Sequence, residues 1–185
     1  MNEKNVAVVT EAGNGLGRKF AKILKDNHYE VVLAACKGSY KKLFEEGEVE
    51  PDYELIEVDF TSEKSLATLE KTICESYGKL DLLINNAEIV NGFGHKIDQI
   101  HIDDIKDVYE INFFSVIRVI QVLKPLLKKS YDPRIINITS SLGDISKMKD
   151  DGFCYSGYSL TAYCTSKAAL NMFTHLQCKE FKPSK

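Results

Sequence analysis

Five short apolar runs punctuate the chain: NVAVVT (5–10), EVVLAA (30–35), YELIEV (53–58), LDLLIN (80–85) and RIINIT (134–139). Each is apolar nearly throughout, as strands buried on both faces should be. Amphipathic stretches lie between them. Leu16, Phe20, Ile23 and Leu24 fall on one helical face, and Leu66, Leu69, Ile73 and Tyr77 on another. TSEK at 61–64 predicts a helix start, with a polar cap and an acid in the first turn. This alternation predicts an α/β fold, a parallel sheet doubly wound by right-handed crossovers with helix layers on both faces. Residues 142–161, LGDISKMKDDGFCYSGYSLT, are polar and Gly-bearing and predict a long loop. No repeat or low-complexity linker interrupts the pattern, so residues 1–185 are expected to form a single domain.

Composition narrows the function classes. Hydrophobic residues make up 44% of 185, enough for a packed core and too many for a disordered chain. A formal charge of −3 argues against a nucleic-acid surface. No apolar run approaches the roughly 20 residues of a membrane span. The opening MNEKNVAVVT is too short and too polar for a secretory signal. The five cysteines (Cys36, Cys74, Cys154, Cys164, Cys178) are scattered with no CxxC pair. That distribution predicts reduced thiols and a cytoplasmic setting. The four histidines have no metal-ligand spacing, and no metal is expected.

The chemistry begins at VVTEAGNGLGRKF (8–20), where a strand runs through glycines into a helix. Glycines there let the backbone approach a diphosphate, and the helix N-terminus supplies N–H donors and positive potential. The G-x-G-x-x-G fingerprint is not met, because Arg18 stands at its last position. TEAGNGLG resembles instead the T-G-x-x-x-G-x-G loop of the short-chain dehydrogenase/reductase family, with Gly15 and Gly17 in place. Further elements follow in family order. LINNAE (83–88) resembles N-N-A-G, INFFSV carries Asn112, INITSS carries Ser140, and YCTSK (163–167) matches Y-x-x-x-K. Asp59 in EVDF matches an acid that touches adenine. The enlarged stretch between Ser140 and Tyr163 most resembles the carbonyl-reductase-like branch.

The resemblance implies a Rossmann-like domain that binds NAD(P) and reduces an aldehyde or ketone to an alcohol. Tyr163 would protonate the carbonyl oxygen. Lys167 would tune Tyr163 and hold the nicotinamide ribose, Ser140 would bond the substrate oxygen, and Asn112 would hold a water. Tyr and Lys at i and i+4 share a helix face. An ammonium there is expected to lower the phenol from its usual pKa of about 10. The expected cofactor contacts are Thr10, Asn14, Gly15, Leu16, Gly17, Cys36, Lys37, Asp59, Phe60, Asn86 and Ala87, with Tyr163 and Lys167. Lys37 could face a 2′-phosphate, which leans the choice to NADPH over NAD. A monomer is expected, with the 142–161 segment covering the surface through which relatives pair.

The chain departs from the family pattern at three cofactor positions. Glu11 replaces the first loop glycine, Glu88 the glycine of N-N-A-G, and Cys36 an arginine usual in NADP-preferring relatives. Glu11 is expected to set a carboxylate beside the diphosphate, and Glu88 to crowd the loop beneath the adenosine half. The chain also stops at Lys185, where relatives normally continue through two more strands, a cofactor loop and a substrate lid. These departures leave open a second reading, a non-catalytic remnant with weak nucleotide binding or a partner-binding role. A third reading, an S-adenosylmethionine methyltransferase, shares the glycine loop but has no use for Asn112, Ser140, Tyr163 and Lys167 together.

Overall fold

The computed structural model describes residues 4–13, 15–45, 53–158 and 160–180. The strands are β1 (Val6–Thr10), β2 (Glu30–Ala35), β3 (Glu54–Glu57), β4 (Leu82–Asn85) and β5 (Arg134–Asn137). The helices are α1 (Gly15–Asp26), α2 (Lys37–Glu45), α3 (Glu63–Tyr77), α4 (Ile102–Tyr109), α5 (Ser115–Leu127), α6 (Ile145–Met148) and α7 (Thr161–Glu180). They divide between two compact units, one drawn from residues 1–87 and 117–138, the other from 88–116 and 139–185.

The first unit holds the sheet, in the order β3-β2-β1-β4-β5 with every pairing parallel. The chain works outward from β1 to β3, then returns to pair β4 on the other side of β1. That reversal is the switch point of a doubly wound sheet, and ligands gather at the strand C-termini there. Those termini are Thr10 and Asn85. The pleat splits the core into two faces. Ala7, Val9, Val31, Leu33, Leu82 and Ile84 pack with Ala21 and Leu24 of α1. Val8, Val32 and Leu83 take the alternate positions and are also fully buried.

The inner strands β1, β2 and β4 are buried on both faces, as their apolar runs predict. The outer two are not. Glu57 in β3, and Arg134 and Ile136 in β5, are exposed. Each of these strands has one strand neighbour among the described residues, and a sheet margin is less covered than its centre.

Helix α3 follows its pattern. It buries Leu66, Leu69 and Ile73, its first turn is capped by the Ser62 hydroxyl, and Gly78 ends it at φ 74. Helix α1 departs from its pattern. Its buried positions are Gly17, Ala21 and Leu24, while Leu16 and Ile23 are each 57% exposed. Close packing selects the small residues at Gly17 and Ala21, while Leu24 is buried and Phe20 packs against the same core.

The second unit is helical. Helix α7 packs against the Ser141–Gly143 turn, α4 and a π-helical stretch, Glu110–Phe114. The expected long loop at 142–161 holds structure of its own. Asp144 caps α6 by accepting from the Ser146 N–H at 2.9 Å. No helix among the described residues is long and apolar enough to cross a membrane.

Candidate active site

The glycine loop is fixed from inside the first unit. Thr10 is 2% exposed, and its hydroxyl oxygen accepts the N–H groups of Asn86 (2.8 Å) and Ala87 (3.0 Å). The Asn86 amide nitrogen donates to the carbonyls of Thr10 (3.0 Å) and Glu11 (3.2 Å). Gly17 closes the arrangement, because a Cβ there would lie 2.6 Å from Asn86 Nδ2 and 2.8 Å from the Glu11 carbonyl. Gly15 sits at φ +53, and a Cβ on it would meet nothing within 4 Å, so α1 begins facing open space. The first N–H groups of a helix lack intrahelical partners, and an open helix start is a natural anion site. Leu16 follows it on the surface. Asn14 lies outside the described residues.

Glu11 is not where the sequence suggests. Its backbone has φ 52, the left-handed region that glycine favours and that costs another residue about 1 kcal/mol. Its carboxylate accepts from the Cys36 N–H and from the Ser39 hydroxyl, the latter at 2.7 Å. Both donors stand at the start of α2, so Glu11 caps that helix from a different loop and sets its charge at the positive end. The expected carboxylate beside the diphosphate is therefore spent on the N-terminus of α2. The residues at the start of α1 fit a dinucleotide's diphosphate: an open helix start, a close-packed Gly17, and a loop carboxylate bonded elsewhere. Cys36 and Lys37 are both exposed there. Asp59 is exposed, and Thr61 bonds its Oδ1 through N–H (2.9 Å) and hydroxyl (2.7 Å). These two bonds, the hydroxyl first, hold the Asp59 carboxyl below its usual range. Phe60 beside it is buried.

The second unit gathers Asn112, Ser140, Tyr163 and Lys167. Tyr163 and Lys167 lie one turn apart in α7, 8% and 1% exposed, with Lys167 Nζ 5.5 Å from the Tyr163 ring centroid. Ser140 heads the Ser141–Gly143 turn and accepts the Leu142 N–H at 3.2 Å. Its hydroxyl lies near the Tyr163 phenol and favours the phenolate. Asn112 lies fully buried in the π stretch, a geometry frequent at functional sites. Its Oδ1 accepts from the Ile89 N–H (2.8 Å), and its Nδ2 donates to the Ile89 carbonyl (3.0 Å) and the Ser166 hydroxyl (3.2 Å). The side-chain nitrogen is thus committed to holding residue 89 and α7, which leaves it no donor for the expected water.

Three residues join this group that motif reading did not place in it. Glu88 is the first. One of its carboxylate oxygens lies 2.7 Å from Lys167 Nζ and accepts the Tyr163 hydroxyl at 3.1 Å. It meets the tyrosine and lysine, not the loop beneath an adenosine. Gly143 is the second, since a Cβ on it would come within 2.7 Å of the Lys167 carbonyl carbon and 2.8 Å of the Ala168 nitrogen. Ser166, fully buried, is the third; it accepts from Asn112 and donates to the Tyr163 carbonyl at 2.8 Å. The substitution of a glycine by Glu88 was visible in the sequence, but its direction was not. Nothing in the motifs marked Gly143 or Ser166.

Burial and Glu88 together reverse the expected behaviour of Tyr163. Burial first, and the Glu88 carboxylate second, push the phenol up to about 12. The lysine was expected to pull it down. Here the ammonium is already paired with a carboxylate on the phenol's own side.

Known proteins similar to this chain are numerous. A family model described as short chain dehydrogenase matches residues 5–185. A short-chain dehydrogenase of Penicillium roqueforti, anuI, is 32% identical over 181 residues, covering 92% of this chain and 70% of its own length. The crystal structure of NADPH-bound carbonyl reductase from chicken fatty liver superposes with a TM-score of 0.83 at 27% identity, over 97% of this chain and 75% of that one. The Pseudomonas aeruginosa RhlG/NADP complex gives 0.79 at 28% identity, over 95% and 66%. Sheet order, ordered motifs and a match along nearly the whole chain agree, and the chain belongs to the short-chain dehydrogenase family.

Proposed function

We propose that the chain is an NAD(P)H-dependent reductase that converts an aldehyde or ketone to an alcohol. The observation that carries this reading is the buried Tyr163–Lys167 pair, one turn apart in α7, with Ser140 beside the phenol. When bound, the nicotinamide supplies hydride. Tyr163 donates its phenolic proton to the carbonyl oxygen, and the Ser140 hydroxyl bonds that oxygen as charge develops on it. Lys167 holds positive charge beside the phenol. Thr10 and Asn86 fix the loop, so that α1 presents its N-terminus to the diphosphate.

NADPH is the proposed reductant. Lys37 stands exposed at the start of α2, and two of the similar structures carry NADPH or NADP. Glu11 narrows the margin, because an acid near the end of β2 suits ribose hydroxyls and opposes a 2′-phosphate. One observation favours a second reading, a nucleotide binder without turnover: the carboxylate of Glu88 already occupies both Lys167 and Tyr163. Fluorescence titration with NADPH, NADH and S-adenosylmethionine, followed by a screen of aldehydes and ketones for NADPH consumption, separates the readings. Binding of NADPH with turnover of any carbonyl supports the reductase. Binding without turnover supports the second reading, and preference for S-adenosylmethionine overturns both.

A further inference from the structure

Lys167 is 1% exposed, and a buried ammonium is tolerated only beside a counter-charge. Glu88 provides one, at 2.7 Å. Its side chain is 41% exposed, so it reaches this pair while keeping part of its carboxylate in water. The same oxygen accepts the Tyr163 hydroxyl. One carboxylate thus bridges the two residues on which the proposed chemistry depends, at a position where the family motif has glycine and no side chain.

We propose that Glu88 is a positioning residue that holds Tyr163 as a protonated donor and screens it from the charge of Lys167. The proposal rests on the reductase reading for its consequence, though not for its test. The charge balance explains the effect. With Glu88 present, the group of Glu88, Lys167 and neutral Tyr163 sums to zero, and ionising the phenol adds a negative charge 3.1 Å from a carboxylate. Without Glu88 the same ionisation would neutralise a buried ammonium. The groups facing the phenol are Glu88 and Lys167, the Ser140 hydroxyl and Cys164, which also opposes the phenolate. Ser140 favours the phenolate, and Glu88 and burial oppose it.

The consequence is asymmetric. Carbonyl reduction needs a phenol that can donate, and Glu88 preserves that form through neutral and moderately alkaline pH. Alcohol oxidation needs a phenolate that can accept, and Glu88 withholds it. A site of this kind is set for reduction, with the reverse reaction confined to strongly alkaline pH.

The test needs no cofactor. The chain has nine tyrosines and no tryptophan, so tyrosinate absorbance is read without indole interference. Subtracting the titration of Tyr163→Phe from that of the parent chain isolates Tyr163. The same subtraction is made with Glu88→Gln, which keeps shape and hydrogen bonding, and with Glu88→Gly, which restores the motif. The proposal expects the Tyr163 midpoint to fall by roughly one pH unit or more in both variants. An unchanged midpoint in a folded Glu88→Gln protein overturns it, as does a parent midpoint at or below that of free tyrosine. Failure to find a carbonyl substrate would count against the reductase and leave this measurement readable. Where turnover is found, the alkaline limb of the oxidation profile should move to lower pH in Glu88→Gln.

Discussion

A single carboxylate oxygen of Glu88 lies 2.7 Å from Lys167 Nζ and 3.1 Å from the Tyr163 hydroxyl. The ion pair is half in water on the glutamate side, so its coupling is smaller than that of a fully buried pair. A double-mutant cycle of Glu88→Gln and Lys167→Met, followed by urea unfolding, is expected to give about 1–2 kcal/mol. A coupling indistinguishable from zero would mean that the two groups do not meet in solution.

Tyr163 predicts an alkaline signature in stability. Its folded pKa is raised to about 12 by burial and Glu88. A group raised on folding stabilises fully below its unfolded pKa, about 10 for tyrosine, and loses that contribution as pH rises through the folded value. The difference in Tm between the parent chain and Tyr163→Phe should therefore shift against the parent between about pH 10 and 12. Tyr77, also raised by burial, is present in both proteins and cancels. A difference that is flat across that window would contradict the raised phenol.

Gly143 is expected to tolerate no side chain. A Cβ there would press on the backbone of α7 at Lys167 and Ala168, at 2.7 and 2.8 Å, where no rotamer change can relieve it. Gly143→Ala should cost about 1–3 kcal/mol in chemical denaturation. Because the strained atoms belong to Lys167, turnover should fall more than cofactor affinity. Full stability and full activity in this variant would show that the turn and helix sit further apart.

Glu11 makes opposite demands on stability and selectivity. Glu11→Gln removes a charge from the N-terminus of α2 and should cost about 0.5–1 kcal/mol of stability. The same change removes a carboxylate from the end of β2. It should raise the preference for NADPH over NADH by about tenfold, or about 1.4 kcal/mol, in competitive titrations at low salt. An unchanged ratio would place the 2′-phosphate away from this carboxylate.

The central sheet was legible because parallel inner strands are apolar on both faces, and β1 and β2 lie where VAVVT and EVVLAA place them. The outer strands looked the same in sequence and are not, since a run of letters carries no information about which strand ends the sheet. Helix α1 misled for a different reason. Its inward face combines Gly17 and Ala21, which close packing requires, with Leu24 and Phe20, so of the predicted face only Leu16 and Ile23 turn outward. The ordered motifs brought Asn112, Ser140, Tyr163 and Lys167 into one unit, as their family order implies. The two intruding glutamates were visible as substitutions only. Glu11 found the start of α2 and Glu88 found a buried ammonium, partners lying 25 to 79 residues away in the chain. Local pattern carries no record of contacts at that separation, and one of them adds to burial in raising the Tyr163 pKa.

The most direct measurement compares the parent chain with Tyr163→Phe in single-turnover reduction of a carbonyl found by screening, with NADPH affinity measured on the same samples. The phenylalanine keeps the ring and removes only the proton donor. The rate of the chemical step should fall by about 10²–10⁴-fold, while the NADPH Kd stays within about twofold. A Tyr163→Phe protein that reduces the same carbonyl at the parent rate would contradict Tyr163 as the proton donor and the active-site reading built on it.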